Sequence, residues 1–119
     1  MTQSNYRKLI VWQKGRELAK LIYHATKRFP RIETFGLISQ MRRAAVSILS
    51  NIAEGEGRYS RRDTRRFFLI ARGSAMELET QIVISSDLEY LDPNTARELE
   101  SRSTEVCRIL NGLLKRYPE

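Results

Sequence analysis

The sequence predicts an all-α protein, a single domain of residues 1–119 folded as an antiparallel, up-down-up-down four-helix bundle. Three observations support this fold class. Apolar residues recur at steps of three and four along four segments, no stretch shows the alternation of a β-strand, and short links with proline or glycine join the segments. A chain of 119 residues is long enough for one hydrophobic core and too short for two.

The first two helices are predicted over residues 11–28 and 36–56. The first ends before Pro30, because proline cannot continue a helix and restricts the residue before it. The second carries a polar row beside its apolar stripe, and we expect it to end at Gly55 and Gly57, whose backbones have the freedom that a helix end requires. Its stripe consists of Leu37, Met41, Ala44, Ala45, Ile48 and Ile52.

The third and fourth helices are predicted over residues 61–90 and 93–117. Ser60 and Asp92 are favourable N-caps for them, since short polar side chains accept a hydrogen bond from the first helical turn. Pro93 suits the first position of a helix, because the N–H that it lacks would have no partner there. The sequence therefore marks the start of both helices clearly.

Small residues at the middle of the second and third helices predict a close crossing. Ala44, Ala45 and Ser47 reach the same level as Gly73 and Ser74 if the two helices are antiparallel neighbours. Glycine costs about 1 kcal/mol of helix propensity relative to alanine. Close packing at Gly73 would explain that cost, and a local bend is the alternative.

The charge of the chain is strongly positive and unevenly distributed, with a formal net charge of +7. Residues 57–72 carry six arginines and one aspartate, whereas residues 73–101 carry seven acids and one arginine. Such a separation favours binding of polyanions by the basic zone, contact between opposite zones of neighbouring copies, or both.

Five arginines around the start of the third helix are the candidate functional site. The dipole at a helix N-terminus opposes positive charge by up to about 1 kcal/mol, so the stability of that helix does not explain them. Nucleic-acid binding, pairing with acidic residues of neighbouring subunits and a solvated face remain as interpretations. Without a base-reading motif, nucleic acid would be held by its phosphates with little sequence preference. The five are Arg58, Arg61, Arg62, Arg65 and Arg66.

A polar network between the second and third helices is predicted to fix their register. In this interpretation Glu54 lies near Arg62 and Arg66, and Glu77 lies near Gln40 and Arg43. A di-carboxylate site for metal or acid–base chemistry is the alternative. The predicted network consists of Gln40, Arg43, Asn51, Glu54, Glu77 and Glu79.

The third helix also has more apolar circumference than one side of a small bundle can cover. These turns are either central in the fold or face another subunit, and we predict a subunit interface. The residues predicted to form it are Phe67, Leu69, Met76 and Val83.

The sequence lacks the residue combinations of an enzyme, a metal centre or a cofactor site. His24 is the only histidine and has no ligand at metal-binding spacing, and Cys107 is interpreted as an inert, buried thiol. We therefore predict a protein that is not an enzyme, with no metal, cofactor or small-molecule substrate. The lack of a membrane-spanning run and of a signal peptide predicts a cytoplasmic protein.

Several motifs occur together in a fixed order: residues 11–14 (VWQK), 29–30 (FP), 35–37 (FGL), 40–48 (QMRRAAVSI), 50–55 (SNIAEG) and 73–81 (GSAMELETQ). Over about residues 11–114 the chain resembles the bacterial four-helix-bundle proteins encoded in intervening sequences of large-subunit ribosomal RNA genes. Leu49 departs from that family, which usually has proline there. The resemblance implies a homo-oligomeric ring, commonly a pentamer. Distant relatives include the accessory protein of diversity-generating retroelements, which binds nucleic acid and a reverse transcriptase through a basic surface.

The sequence thus favours an oligomeric, ring-forming protein that binds RNA or DNA through its arginines. In a ring the basic patch is repeated about one axis, so several weak contacts act together. The alternative is a structural or protein-partner adaptor whose arginines pair with acidic residues of neighbouring subunits. The salt dependence of RNA binding distinguishes the two hypotheses.

Overall fold

Four α-helices contain most of residues 5–118, which are the residues described by this computed structural model of the protein. No β-strand occurs within that range, so the predicted all-α four-helix fold class is confirmed. Among the same residues, no helix is both long and apolar enough to cross a membrane. The helices are α1 (Ile10–Thr26), α2 (Leu37–Glu56), α3 (Arg61–Asp87) and α4 (Pro93–Leu114), with short 3-10 helices at Tyr6–Lys8 and Arg31–Glu33.

Neighbouring helices run in opposite directions, as the residue pairs between them show. Between α2 and α3, Ser47 and Ser74 share a hydrogen bond of 2.8 Å, and the Ser85 hydroxyl donates to the Met41 sulfur at 3.4 Å. A later residue of α3 therefore meets an earlier residue of α2. The same reversed order holds for α1 with α4 (Lys14–Glu105, Glu17–Arg102) and for α3 with α4 (Arg65–Leu114, Arg72–Asn111).

The core lies between the apolar stripes that the sequence predicts. Each helix contributes three large side chains that are almost completely buried, so the four stripes meet along the bundle axis. Removing such side chains from water is the main favourable contribution to folding. They are Val11, Leu18, Ile22, Met41, Ile48, Ile52, Phe68, Leu78, Ile82, Leu99, Val106 and Leu110.

Both predicted N-caps are present. The Ser60 hydroxyl accepts a hydrogen bond of 3.0 Å from the Asp63 backbone N–H, and Asp92 accepts one of 2.9 Å from the Thr95 N–H. The Thr95 hydroxyl also donates to the Asp92 carboxylate at 2.8 Å. These bonds, the backbone one first, hold the pKa of the Asp92 carboxyl below its ordinary value, because they stabilise its charged form.

α2 ends at Glu56 as predicted, but the other three helices end earlier than predicted, and the end of α3 shows one reason. The helix ends at Asp87 instead of residue 90, since Glu89 adopts a left-handed φ of 63°. The Tyr90 N–H bonds to the Ser85 carbonyl and the Glu89 N–H to the Ser86 carbonyl, which is the Schellman arrangement. Glutamate is uncommon at that left-handed position, so the sequence pattern does not reveal this end. α1 and α4 likewise end early, at residues 26 and 114 instead of 28 and 117.

The expected role of Gly55 and Gly57 as backbone helix stops is wrong. Among the described residues no glycine has a positive φ, and Gly57 at the end of α2 has an ordinary φ of −83°. Gly55 lies inside the last turn of α2 and is buried. A Cβ there would lie 2.9 Å from the ring of Phe68, so Gly55 is required by close packing.

The close crossing of α2 and α3 is confirmed by the bond between Ser47 and Ser74, but it does not involve Gly73. Gly73 is exposed, and a Cβ there would meet no atom within 4 Å. Close packing within the chain therefore does not explain this glycine. A different glycine, Gly15 of α1, makes the tight contact with α2, where its Cβ would lie 3.2 Å from Leu49. α2 continues unbroken through Leu49.

Candidate nucleic-acid interface

The turn between α2 and α3 is held by side-chain hydrogen bonds to the backbone. Thr64 of α3 donates its hydroxyl to the Gly55 carbonyl at 2.9 Å, while Ser60 caps the first turn of α3. Thr64 is buried, so this bond satisfies two polar groups that water cannot reach. The start of α3, with its arginines, is therefore fixed beside the end of α2.

Two of the five arginines bind the end of α4. Arg65 donates to the carbonyl oxygens of Leu114 at 3.2 Å and Tyr117 at 2.7 Å, and Arg61 donates to the carbonyl of Arg116. The last carbonyls of a helix have no partner within the helix and carry the negative end of its dipole. Arg65 therefore caps the end of α4, whereas the Arg116 carbonyl that accepts from Arg61 lies just beyond that helix. This corrects the argument that helix stability does not explain these arginines, which considered only the dipole of α3.

Arg58 and Arg66 lie against the ring of Phe67, with guanidinium carbons 4.7 and 4.6 Å from the ring centre. Arg58 also forms an ion pair of 2.5 Å with Glu54, and Arg66 one of 3.8 Å with Asp63. The expected proximity of Glu54 to Arg62 and Arg66 is not what the structure has, because Glu54 pairs with Arg58, four residues along the chain.

Arg62 differs from the other four arginines. It is exposed, and within residues 5–118 its side chain has no hydrogen-bond or ion-pair partner. Tyr59, three residues earlier, is completely exposed. Both residues present their side chains to solvent at the same end of the bundle.

That end, which we call the basic end, is where α2 and α4 finish and α1 and α3 begin. The 3-10 helix before α1 packs there against α2. The basic end carries nine lysines and arginines against three acids, Glu54, Glu56 and Asp63, among the residues that the structure describes. The basic residues are Arg7, Lys8, Arg58, Arg61, Arg62, Arg65, Arg66, Lys115 and Arg116.

The structure brings only part of the predicted polar network together. Asn51 donates to the Ser47 carbonyl at 2.8 Å and to its hydroxyl at 3.1 Å, which links Asn51 to Ser74 across the crossing. Glu79 faces the cleft beside Cys107. Within the described part of the chain, three of the remaining members have no side-chain hydrogen-bond or ion-pair partner: Gln40, Arg43 and Glu77.

The four residues predicted to contact another subunit occupy different environments. Phe67 and Leu69 are half-buried, Phe67 beneath two arginines and Leu69 against the core. Met76 and Val83 are 59% and 42% exposed. Only the last two therefore leave large apolar surface in contact with solvent.

The remaining histidine, cysteine and acidic side chains are the candidates for a metal site. Among residues 5–118 no group of three or more histidine, cysteine, aspartate or glutamate side chains is arranged to hold a metal ion. His24 is exposed. Burial, followed by the nearby Glu79 carboxylate, raises the pKa of the Cys107 thiol, so this cysteine is protonated at neutral pH and a poor nucleophile.

Sequence reasoning did not identify the capping of the C-terminal end of α4 by Arg65, nor a set of buried polar residues on the apolar stripes. The Gln81 amide oxygen and the Ser103 hydroxyl are buried and have no hydrogen-bond partner among the described residues. The helical period could have predicted the burial of these polar residues, because each of them lies three or four positions from a core side chain. The set consists of Thr26, Thr64, Gln81, Ser85 and Ser103.

The chain is similar to a known family and to a solved structure. Residues 7–112 match the model of the family described as 23S rRNA-intervening sequence protein. A crystal structure of a protein with unknown function from the S23 ribosomal protein family of Bacteroides thetaiotaomicron VPI-5482 is 28% identical, with a TM-score of 0.80. That match covers 89% of this chain and 99% of the other. No curated protein matches.

The family match and the structural match agree with the fold. The matched residues include all of the first three helices and most of α4, so the agreement concerns the whole bundle and not one motif. The chain therefore belongs to the 23S rRNA-intervening sequence protein family.

Proposed function

We propose that this protein binds RNA or DNA by its phosphates at the basic end, without enzymatic activity and as a homo-oligomer. The observation that carries this proposal is the charge there, nine basic side chains against three acidic ones among residues 5–118. A concentrated positive patch attracts polyanions and releases their counterions on binding. The family's name links it to ribosomal RNA intervening sequences, which is consistent with such a ligand and with a location in the cytoplasm.

Arg62 is the residue that we expect to bind a phosphate first. Its guanidinium has five N–H donors, and no acceptor within residues 5–118 occupies them. Arg58 and Arg66 join it, because their ion pairs with Glu54 and Asp63 are largely exposed. Exposed ion pairs contribute only about 0–1 kcal/mol, so a phosphate can replace the carboxylate at little cost.

Salt titration of a double variant tests the proposal. We expect Arg62→Ala with Arg66→Ala to reduce the slope of log K against log salt by about 1.4 for single-stranded RNA, since each phosphate contact contributes about 0.7. Arg61 and Arg65 are left unchanged, because their removal would also disturb the end of α4.

The matched control changes the same amount of charge at the other end of the bundle. Lys27→Ala with Arg31→Ala removes two exposed positive charges remote from the basic end. We expect its slope to equal that of the unchanged protein. Equal slopes for both double variants would mean that only net charge matters, and the proposed site would be wrong.

The second candidate function is an adaptor in which the arginines pair with acids of neighbouring subunits. One observation favours it: Arg58 and Arg66 already pair with carboxylates, Glu54 and Asp63. Under this function the double variant Arg62→Ala with Arg66→Ala would dissociate into monomers in light scattering, and the unchanged protein would show no RNA binding. Retained assembly with weakened RNA binding would favour the first function.

A further inference from the structure

Aromatic rings hold three arginine side chains in place at the basic end. The guanidinium carbons of Arg58 and Arg66 lie over the ring of Phe67, at 4.7 and 4.6 Å from its centre. The guanidinium carbon of Arg61 lies 4.6 Å from the centre of the Tyr117 ring. A cation over an aromatic face is attracted by the ring quadrupole, and arginine is suited to such contacts because its guanidinium is planar.

Two of these three arginine side chains retain large solvent-accessible fractions. The side chains of Arg58 and Arg66 are 41% and 61% exposed, although both contact Phe67. Tyr59 adjoins Arg58 in the chain, and its ring is 100% exposed. The basic end therefore presents flat cationic surfaces and one free aromatic ring together, which a patch that binds phosphate alone does not require.

We infer that the basic end binds unpaired nucleotides in preference to a duplex. This inference rests on the proposed function and specifies its ligand. Bases stack on Tyr59 and on the guanidinium planes of Arg58 and Arg66. The N–H groups of these two arginines and of Arg62 bind the phosphates. In a duplex the base faces are covered by neighbouring base pairs, whereas a single strand exposes both its bases and its phosphates.

The other end of the bundle provides a comparison. Arg42 of α2 lies 4.6 Å from the centre of the Tyr23 ring, which is the same kind of contact. The N–H groups of Arg42 already have acceptors within the chain, because they donate to the Thr26 hydroxyl at 2.9 Å and to the Tyr23 carbonyl at 3.3 Å. Tyr23 is thus a matched aromatic residue under an arginine, outside the basic end.

Three probes at one salt concentration test the inference on the full chain. They are a 20-nucleotide single strand of adenylates, a mixed-sequence duplex of 20 base pairs and inorganic polyphosphate of equal charge to the single strand. We expect tightest binding to the single strand. Tyr59→Ala should weaken binding of the single strand by about five- to tenfold, as expected for loss of one stacked base, and leave polyphosphate binding unchanged.

Two further variants separate stacking from folding. Phe67→Leu removes the ring beneath two arginines and is expected to weaken single-strand binding while binding of polyphosphate persists. Tyr59→Ala tests the inference even if Phe67→Leu is unstable, because Tyr59 is fully exposed and supports no packing. The control Tyr23→Leu should leave the affinity for all three probes unchanged.

The possible results separate this inference from the proposed function. If the single strand, the duplex and polyphosphate bind alike and Tyr59→Ala has no effect, the preference for unpaired nucleotides is wrong while phosphate binding stands. If none of the three probes binds in a manner that depends on Arg62 and Arg66, the proposed function fails and this inference fails with it.

Discussion

Gly55 and Gly73 show how differently the same residue type is used at two positions of one bundle. Gly55 is buried beneath the ring of Phe68, whereas Gly73 is exposed on α3 with open space around its Cα. Neither position requires a backbone conformation that other residues avoid, since both lie within α-helices. The two positions therefore differ only in whether there is space for a Cβ.

Substituting alanine at the two glycines should have opposite effects. Gly55→Ala places a Cβ 2.9 Å from two ring carbons of Phe68, whose side chain is 1% exposed. We expect a loss of about 1–3 kcal/mol in the free energy of unfolding, the usual cost of overpacking a core. Gly73→Ala should instead add about 0.5–1 kcal/mol through helix propensity.

Urea denaturation followed by circular dichroism measures both effects. Equal stability of Gly55→Ala and the unchanged protein would show that Phe68 moves aside easily. A destabilised Gly73→Ala would show that its open surroundings are occupied in solution, as in an oligomer.

Asp92 gives a prediction that depends on pH. Its carboxylate caps α4, and the bonds from Thr95 lower its pKa below the ordinary 3.8. A group with a lowered pKa in the folded state stabilises the fold above its unfolded pKa, and this contribution is lost as pH falls through the folded pKa. The contribution of Asp92 should therefore be present above the unfolded pKa of 3.8, decline as the pH falls below that value and be lost once the pH has passed the lower folded pKa.

Asp92→Asn is the matched variant, because asparagine also caps helices but does not titrate in this range. The stability of the unchanged protein relative to Asp92→Asn should decline as pH falls below 3.8. If the difference in stability between the unchanged protein and Asp92→Asn stays constant from pH 6 to pH 2, the pKa of Asp92 is not lowered.

At the scale of secondary-structure elements, α3 stabilises α4 at the basic end. Arg65 at the start of α3 donates to the Leu114 carbonyl at the end of α4, and Arg61 and Arg65 also donate to carbonyls of the residues that follow it. Tyr117 packs edge-on against Phe68 at 5.7 Å. The unfavourable position of these arginines at the positive end of one helix is offset at the negative end of the next. Antiparallel packing makes this exchange possible, because it brings the two ends together.

Arg65→Ala should therefore loosen the end of α4. We expect a loss of about 1–2 kcal/mol, since hydrogen bonds to a charged group contribute about 1.5–3 kcal/mol and this one is partly exposed. Arg62→Ala removes the same charge from the same turn without removing a bond, and its effect should stay within about 0.5 kcal/mol.

Hydrogen exchange of the backbone amides of residues 110–117 distinguishes the two variants directly. Exchange there should become faster in Arg65→Ala and stay unchanged in Arg62→Ala. Equal acceleration in both variants would indicate a general effect of charge, not the capping of α4.

At the scale of the whole molecule, the bundle is a rod of 46 × 24 × 21 Å with its positive charge concentrated at one end. Its surface also exposes large apolar side chains of α3, including Met76 at 59% and Val83 at 42%. Exposed apolar residues on one helix are a common feature of surfaces that bind another subunit. The proposed oligomer would cover these residues.

Glutamate at both positions tests that proposal. Met76→Glu with Val83→Glu should convert the assembly into a monomer of 13.9 kDa in light scattering, because a carboxylate is costly to bury in an interface. Ile32→Glu is the control, as Ile32 is 85% exposed in the short helix before α2. A monomeric unchanged protein at high concentration would rule out both the ring and its avidity.

The fold could be predicted from the sequence largely because its signals are local. The apolar stripes follow the helical period, and the N-caps Ser60 and Asp92 act on the N–H groups three residues later. The end of α3 was less predictable, since Glu89 provides a left-handed turn that glycine usually provides. Of the candidate site, only the existence and position of the arginines could be predicted.

The sequence by itself determined that this protein is a bundle of four amphipathic helices with a basic stretch at the start of the third. Both properties depend on residues within a few positions of each other. Only the tertiary structure decided what each arginine contacts and why Gly55 is a glycine. Arg65 meets Leu114 and Tyr117 across about 50 positions of the chain, and such contacts depend on how the helices are placed in space. Local patterns cannot specify that placement.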